Sequence, residues 1–230
     1  MIKFITTKFT NYHNKNSGGS KLRAKRFQPF LDMIKDVFRE NGSVKIIDIG
    51  GTQQYWNIIP KEIFDLYKIK ITIINLPSSN LPKDSGPFKF AEGNACCLDN
   101  YKDNSFDLVH SNSVIEHVGD WDSMINMANE CSRIAPRHFI QTPNYWFPVE
   151  PHCLTPFFHW YPKPLRIWLV MKYSLGNWSR ALSLKDAVFK VESARLLNKK
   201  MIQALFPKSE IKIEKFFFLN KSFIALKNKI

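Results

Sequence analysis

Residues 46–52, which read IIDIGGT, decide how the rest of this chain is interpreted. Apolar and β-branched residues typical of a buried strand run directly into two glycines. In a parallel α/β sheet, ligands bind at the carboxyl ends of the strands, and glycine lets the backbone approach a ligand closely. Asp48 is a carboxylate inside this apolar run, where an unpaired charge would be costly. One interpretation is a buried acid that holds the loop by accepting backbone N–H bonds.

The length of 230 residues fits one α/β domain with some tens of residues of elaboration. We find no apolar run near the roughly 18 to 20 residues that a membrane span needs, and no signal-peptide pattern at the N-terminus. The four cysteines show neither metal-ligand spacing nor a disulfide framework. We therefore expect a cytoplasmic protein with reduced thiols.

The net charge of +13 is concentrated at the two ends of the chain. Residues 1–26 contain seven basic residues and no acid, and residues 199–230 contain eight lysines and two acids, whereas residues 27–198 carry 18 of each sign. Basic ends on a neutral body suit peripheral contact with an anionic membrane at least as well as a nucleic-acid groove. Solvated tails without a partner are the alternative. We expect no nucleic-acid partner.

Hydrophobic periodicity predicts alternating strands and helices after an unstructured basic tail at 1–19. Residues 20–230 are predicted to form a single domain. Strands are expected near 44–49, 69–74, 88–91, 106–112 and 139–143, and helices near 27–41, 55–59, 121–134 and 194–206. A hairpin of 211–218 and 222–226, with its turn at 219–221, closes the chain. The alternation favours a parallel sheet with helices on both faces.

Residues 143–180 interrupt this alternation, because they hold six of the 13 prolines and four of the six tryptophans. We interpret this segment as an insertion that forms the wall or lid of an acceptor pocket. Within it, only residues 165–175 look helical. Two interpretations of this helix stay open: it lies in a membrane interface with Trp168 and leucines buried in lipid, or it packs on the domain.

Three motifs resemble those of class I S-adenosylmethionine-dependent methyltransferases, in their type 11-like branch. The run IIDIGG at 46–51 is similar to the family's first motif, EGNA at 92–95 to its third-strand loop, and DNSFDLVHSNSVIEHV at 103–118 to its fourth-strand segment. IIDIGGTQQYW and TPNYWFPVEPH resemble branch members that modify small molecules and cell-surface polysaccharides or lipids. The resemblance implies a doubly wound, seven-stranded, mostly parallel Rossmann-like sheet with an antiparallel C-terminal hairpin.

The resemblance also implies S-adenosylmethionine as cofactor and a set of residues that bind it. Asp48, Gly50, Gly51 and Thr52 would line the methionine end, and Asn75 would meet the ribose. Asn94 and Ala95 would contact the adenine edge, and Ser111 and Asn112 would lie beneath the sulfonium. The chain departs from the family at Thr52 and Gln54, where small residues are usual, and at Asn75, where an acid is usual.

Glu150 and His152 are the predicted catalytic residues. A hydroxyl acceptor must lose a proton, so a base is useful. The two residues lie between prolines, and an extended backbone there would direct both side chains to the same face. We expect His152 to act as the base and Glu150 to orient it; a pair that only fixes the lid is the alternative. His117 is interpreted as a packing or cofactor-side residue, and no metal site is predicted, although His152, His159 and Glu150 have suitable chemistry.

The predicted function is methyl transfer from S-adenosylmethionine to a small-molecule, sugar or lipid-linked acceptor. The alternative keeps the fold without the chemistry, as a decayed cofactor-binding or scaffold protein in which Thr52, Gln54 and Asn75 mark the loss. A nicotinamide dehydrogenase is disfavoured, since GGTQQ does not match G-x-G-x-x-G. The acceptor, the methylated atom and the oligomeric state cannot be read from these residues.

Overall fold

The fold is built on one seven-stranded sheet, seen in a computed structural model that describes residues 18–77 and 81–228. The strand order is β3-β2-β1-β4-β5-β7-β6. The first five strands are parallel, whereas β7 runs antiparallel to both β5 and β6. The strands are β1 Val44–Ile49, β2 Ile69–Asn75, β3 Phe88–Glu92, β4 Leu108–Asn112, β5 Arg137–Pro143, β6 Glu210–Phe216 and β7 Leu219–Lys227. The predicted fold class is confirmed.

Helices cover both faces of this sheet. They are α1 Gly18–Asn41, α2 Lys61–Leu66, α3 Trp121–Ile134, α4 Lys163–Lys172, α5 Leu184–Glu192 and α6 Lys199–Leu205. On one face, α1 buries Phe27, Phe30 and Ile34 against Ile46 and other strand residues. On the other face, α3 and α6 pack against Ile47, Ile49 and Val109. Alternate residues of β1 therefore serve two cores, as expected for a parallel sheet buried on both sides.

Several predicted boundaries were wrong. Helices α2 and α5 were missed, and the helix predicted at 194–206 starts only at Lys199, because the Asn198 side chain accepts a hydrogen bond from the Met201 amide and caps it there. The hairpin turn lies at residues 217–218, where Phe217 has φ 53, and not at 219–221. Helix α1 begins at Gly18, and residues 1–17 of the predicted tail lie outside the described residues.

The Asp48 carboxylate lies fully buried between α1 and the sheet. It accepts hydrogen bonds from Trp56 Nε1 at 2.7 Å and from His110 Nδ1 at 2.7 Å. The sequence-based interpretation of backbone N–H partners was wrong, because two ring N–H groups satisfy the carboxylate. The rings of Phe27, Phe30 and Phe139 lie within 5.1–6.1 Å of the His110 ring. Aromatic packing therefore fixes the two donors, and the donors fix the end of β1.

Replacing Trp56 with Phe should lower the free energy of unfolding by about 1–3 kcal/mol, because Asp48 Oδ2 would lose its donor inside the core. Trp121→Phe is the matched control, since Trp121 is 37% exposed on α3. Urea denaturation measures both variants. Equal midpoints for the two would show that the indole donor contributes nothing.

Candidate active site

The glycine turn after β1 holds the backbone directly over Asp48. Gly50 has φ +71, a conformation that favours glycine. A Cβ on Gly51 would lie 1.8 Å from Asp48 Oδ2, so no side chain fits there. From the neighbouring strand, Asn75 Nδ2 donates to the Gly51 carbonyl at 3.0 Å. Asp48 and Asn75 therefore meet at Gly51, at the carboxyl edge of the sheet.

Three other predicted cofactor residues take part in local loop structure. Thr52 is exposed, and its carbonyl accepts from the Tyr55 amide at 3.0 Å at the start of the 3-10 helix Gln53–Ile58. Asn94 Oδ1 accepts from the Cys96 amide at 3.0 Å. Ala95 is 8% exposed and belongs to the core under this loop. These contacts shape the loops that follow β1 and β3.

The end of β4 offers one buried polar atom that has no partner among the described residues. Ser111 is buried, and its Oγ donates to the Ile49 carbonyl at 3.2 Å, so its hydroxyl is used within the sheet. Asn112 Oδ1 is buried and has no hydrogen-bond partner within the described parts of the chain. A buried polar atom without a partner is rare in a folded protein. A bound ligand with donor groups, such as an amino acid moiety, fits this position.

Glu150 and His152 lie together, although not for the predicted reason. The segment is a turn rather than an extended strand: Glu150 Oε2 accepts from the amides of His152 and Cys153 at 2.8 and 2.6 Å. Glu150 Oε1 then lies 2.6 Å from His152 Nδ1. The carboxylate thus fixes both the turn and the orientation of the imidazole.

The site contains a second histidine, which the sequence analysis interpreted only as a packing or cofactor-side residue. His117 ends the 3-10 turn Ile115–His117 that follows β4, and its Nδ1 lies 2.6 Å from the Ser193 carbonyl. Its Nε2 lies 3.0 Å from Nε2 of His152. In the sequence, the doublet Glu116-His117 directly after a predicted strand was the only indication that these residues belong to the site. The pairing of His117 with His152, 35 positions away, cannot be inferred from spacing.

Glu116 lies beside this histidine pair and is 1% exposed. Its Oε2 accepts from Thr142 Oγ1 at 2.9 Å, whereas Oε1 has no hydrogen-bond partner among the described residues. One ligand atom from each of Glu116, His117 and His152 lies within 4.8 Å of the others, so these three residues could hold a metal ion. The structure brings them together from three separate segments.

Burial and pairing shift the pKa values of these groups in different directions. Burial raises the pKa of Glu116 to about 7. Partial burial lowers the pKa of His117. Burial is the largest single influence on Glu150 and His152 and disfavours charge on each. Their mutual hydrogen bond and charge attraction, with the hydrogen bond from the Cys153 amide to Glu150, together outweigh it, so the pKa of Glu150 is lowered and that of His152 is raised.

A cavity of about 360 Å³ opens beside the histidine pair, between the 143–180 insertion and the segment after α5. Glu150, His152 and His159 line its inner part. Four basic side chains also line it, against two carboxylates: Lys163, Arg166, Lys190 and Arg195, with Glu150 and Glu192. Arg166 Nε is buried there with no hydrogen-bond partner in residues 18–77 and 81–228. The cavity therefore has an excess of positive charge.

Comparison with known proteins identifies the domain. The profile of a family described as a methyltransferase domain matches residues 50–136. No curated protein matches the chain. None of the helices described here is long and apolar enough to cross a membrane.

Solved structures share the fold at low sequence identity. A SAM-dependent methyltransferase from Archaeoglobus fulgidus is 11% identical with a TM-score of 0.53, covering 90% of this chain and 94% of that one. The N-terminal domain of EvdMO1, solved in the presence of SAH and D-fucose, is 13% identical with a TM-score of 0.53, covering 90% and 83%. An O-methyltransferase family protein from Burkholderia thailandensis is 13% identical with a TM-score of 0.49; the match covers 90% of this chain and 57% of that one.

The glycine turn and Asn75 meet at the carboxyl edge of the sheet, where the family's cofactor binds, and the methyltransferase-domain profile spans this edge from Gly50 to the start of β5. Residues 50–136 therefore form a methyltransferase domain, on a sheet with the strand order of the class I S-adenosylmethionine-dependent methyltransferase fold.

Proposed function

We propose that this enzyme methylates a hydroxyl of a small or lipid-linked acceptor, such as a sugar, that carries an anionic group. The observation that carries the proposal is the position of the His117–His152 pair, between the end of β4 and the basic cavity. The cofactor supplies an activated methyl group, so the protein has to align the acceptor, exclude water and remove a proton. The insertion at 143–180 supplies the wall that separates the acceptor from solvent.

In this proposal, the residues around the glycine turn bind the cofactor. Asn75 uses Nδ2 to hold Gly51, and its Oδ1 accepts a hydrogen bond from a ribose hydroxyl. Asn112 Oδ1 accepts from the amino group of the methionine end, which gives this buried atom its partner. Asp48, Gly50 and Thr52 act by shaping the turn, and Asn94 and Ala95 by shaping the loop at the adenine edge. Ser111 holds β4 against β1 beneath the sulfonium.

The acceptor hydroxyl is activated at the histidine pair. His152 is the predicted base, and Glu150 orients it through Nδ1. Nε2 of His152 lies 3.0 Å from Nε2 of His117. A proton or cation held between these two nitrogens therefore determines how the proton of the acceptor is removed. The intact hydrogen-bond networks around Asp48 and Glu150 favour an active enzyme over a decayed one, because each buried carboxylate has well-placed donors.

The cavity favours an anionic acceptor. Lys163 pairs with Glu192, and Lys190 Nζ donates to Asp186 at 3.0 Å, so part of the basic charge is already balanced. Arg166 keeps a buried N–H that has no acceptor among the residues that the structure describes, and Arg195 is exposed at the cavity wall. A phosphate or carboxylate of the acceptor would supply oxygens for these donors.

We also propose that the enzyme works in the cytoplasm at an anionic membrane surface. Helix α4 buries Val170 against α5 but leaves Trp168 50% exposed, with Leu165 and Met171 also exposed. Lys172 Nζ lies 5.1 Å above the Trp168 ring. A tryptophan with a neighbouring lysine suits the headgroup region of a bilayer.

Gly51→Ala should weaken S-adenosylmethionine binding at least tenfold, because the added Cβ would displace Asp48 or the backbone that contacts the cofactor. Isothermal titration calorimetry measures the affinity, and circular dichroism checks that the variant is folded. Gly42→Ala is the control: it also has positive φ, but nothing lies within 4 Å of its Cβ. A wild-type chain without affinity for the cofactor would overturn the proposal.

Arg166→Ala should lower kcat/KM about tenfold to a hundredfold, mainly through KM, because the acceptor's anionic group would lose a charged hydrogen-bond donor. Lys185→Ala on α5 serves as control, because Lys185 is exposed and lies outside the cavity lining. The enzyme is incubated with cofactor labelled on its methyl group and with an extract of the source cell, and the labelled product is isolated. We expect the labelled product to bind an anion-exchange resin; a neutral product would contradict an anionic acceptor, and no labelled product would favour the decayed alternative.

Trp168→Ala should reduce co-sedimentation with vesicles of anionic phospholipid, since the side chain contributes exposed apolar area at the interface. Trp121→Ala is the control, because Trp121 is exposed on α3, away from α4. Wild-type protein that sediments equally little with anionic and zwitterionic vesicles would rule out membrane contact.

A further inference from the structure

We propose that Glu116, His117 and His152 bind a divalent transition-metal cation of the zinc class. The candidate ligands are two imidazole nitrogens and one carboxylate oxygen, and all lie within 4.8 Å of one another. This donor set is the one that holds catalytic zinc with a fourth position left open. Two nitrogen ligands favour zinc or cobalt over magnesium and calcium, which prefer oxygen.

The first argument is the direct approach of two nitrogen lone pairs. His152 donates through Nδ1 to Glu150, and His117 donates through Nδ1 to the Ser193 carbonyl, both at 2.6 Å. A neutral imidazole that donates at Nδ1 has a lone pair at Nε2. The two Nε2 atoms nevertheless lie 3.0 Å apart. Two lone pairs at this distance repel each other unless a proton or a cation lies between them.

The second argument comes from Glu116, which a shared proton would not satisfy. Its Oε1 is buried without a hydrogen-bond partner among the described residues, although Thr142 holds Oε2. A proton between the two histidines would leave this oxygen unchanged. A cation bound by both Nε2 atoms and by Glu116 would provide a partner for the buried carboxylate and remove the repulsion between the imidazoles.

The distance between the two imidazole nitrogens fits such a cation with little movement. Two nitrogens bound to a tetrahedral zinc ion at about 2.0–2.1 Å are separated by about 3.4 Å. The observed separation of 3.0 Å therefore needs an increase of a few tenths of an ångström. His117 is exposed, so an ion can reach the site from solvent.

The outer contacts of both histidines are those of metal-bound imidazoles. Metal-bound histidines usually donate their second ring N–H to a carboxylate or a backbone carbonyl. Here Glu150 takes one of these hydrogen bonds and the Ser193 carbonyl takes the other. Glu150 is itself held by the amides of His152 and Cys153. Both rings are thus oriented before any ion arrives.

In the cation-bound enzyme, His152 would be a ligand and could no longer be the base, so the proton of an acceptor hydroxyl would pass to solvent water. An acceptor hydroxyl that contacts the cation loses its proton more easily, because the positive charge stabilises the oxygen anion. This role in activation rests on the proposed methyl transfer. The binding of the cation itself does not, so the two can be tested separately.

The test is metal binding by the full chain, purified without a polyhistidine tag and dialysed against a chelator. Zn²⁺ and Co²⁺ are titrated by calorimetry, Mg²⁺ serves as the comparison, and the visible absorption of Co²⁺ reports coordination geometry. We expect one equivalent of Zn²⁺ or Co²⁺ to bind, a tetrahedral Co²⁺ spectrum, and much weaker binding of Mg²⁺.

His117→Gln, His152→Gln and Glu116→Gln should each weaken Zn²⁺ binding at least tenfold, and Glu150→Gln about tenfold to a hundredfold through the orientation of His152. His159→Gln is the control, because His159 lines the same cavity but its Nε2 is paired with the Tyr145 carbonyl. Circular dichroism confirms folding of every variant.

The inference is overturned if the wild-type chain binds no stoichiometric Zn²⁺ or Co²⁺, or if the ligand variants bind it as tightly as the His159 variant does. Affinity for S-adenosylmethionine is measured on the metal-free protein in parallel. Cofactor binding without metal binding removes only this inference, whereas metal binding without cofactor binding removes the proposed function.

Discussion

The structure depends on how the Asp48 carboxylate is satisfied inside the core. A buried charge without partners would cost several kcal/mol, yet the glycine turn places the backbone of Gly51 directly against this group. Trp56 and His110 provide the two donors, and the aromatic residues of α1 hold those rings in place. The long helix before the first strand therefore supports the glycine turn through these two rings. The packing of α1 against the Trp56 and His110 rings thus fixes the conformation of the glycine turn indirectly.

The fold could be predicted because its signals are local. The alternation of strand-like segments such as IIDIGG with helical segments, the proline that ends β5 and the final pair of strands are all recognised within short windows of sequence. The errors lie where a boundary depends on a single contact, such as the Asn198 cap, or on a positive φ at Phe217. Neither hydrophobic periodicity nor composition reports such contacts.

The site was predicted less completely, because its parts come from distant segments. Glu150 and His152 are neighbours in sequence and could be paired, although a turn and not an extended backbone unites them. His110 was overlooked as a partner of Asp48, since a histidine in a buried strand has no distinctive pattern. His117 and Glu116 acquire their meaning only when the 143–180 insertion folds over the end of β4. No spacing rule connects these segments.

The charges of the reactants explain why the histidine pair, the buried carboxylates and the basic cavity occur together. Methyl transfer from a sulfonium to an ionised oxygen brings opposite charges together and cancels them, so a site that excludes water favours the step. Glu150, whose pKa is lowered, places negative charge beside the histidine pair, and this charge favours the positive donor and the cation that we propose. In the proposed function, Arg166 and Arg195 of the cavity wall hold the anionic group of the acceptor, while Glu150 orients the histidine beside the reacting hydroxyl. The cationic donor binds outside this cavity, at the glycine turn, so the two substrates are held by separate sets of charges.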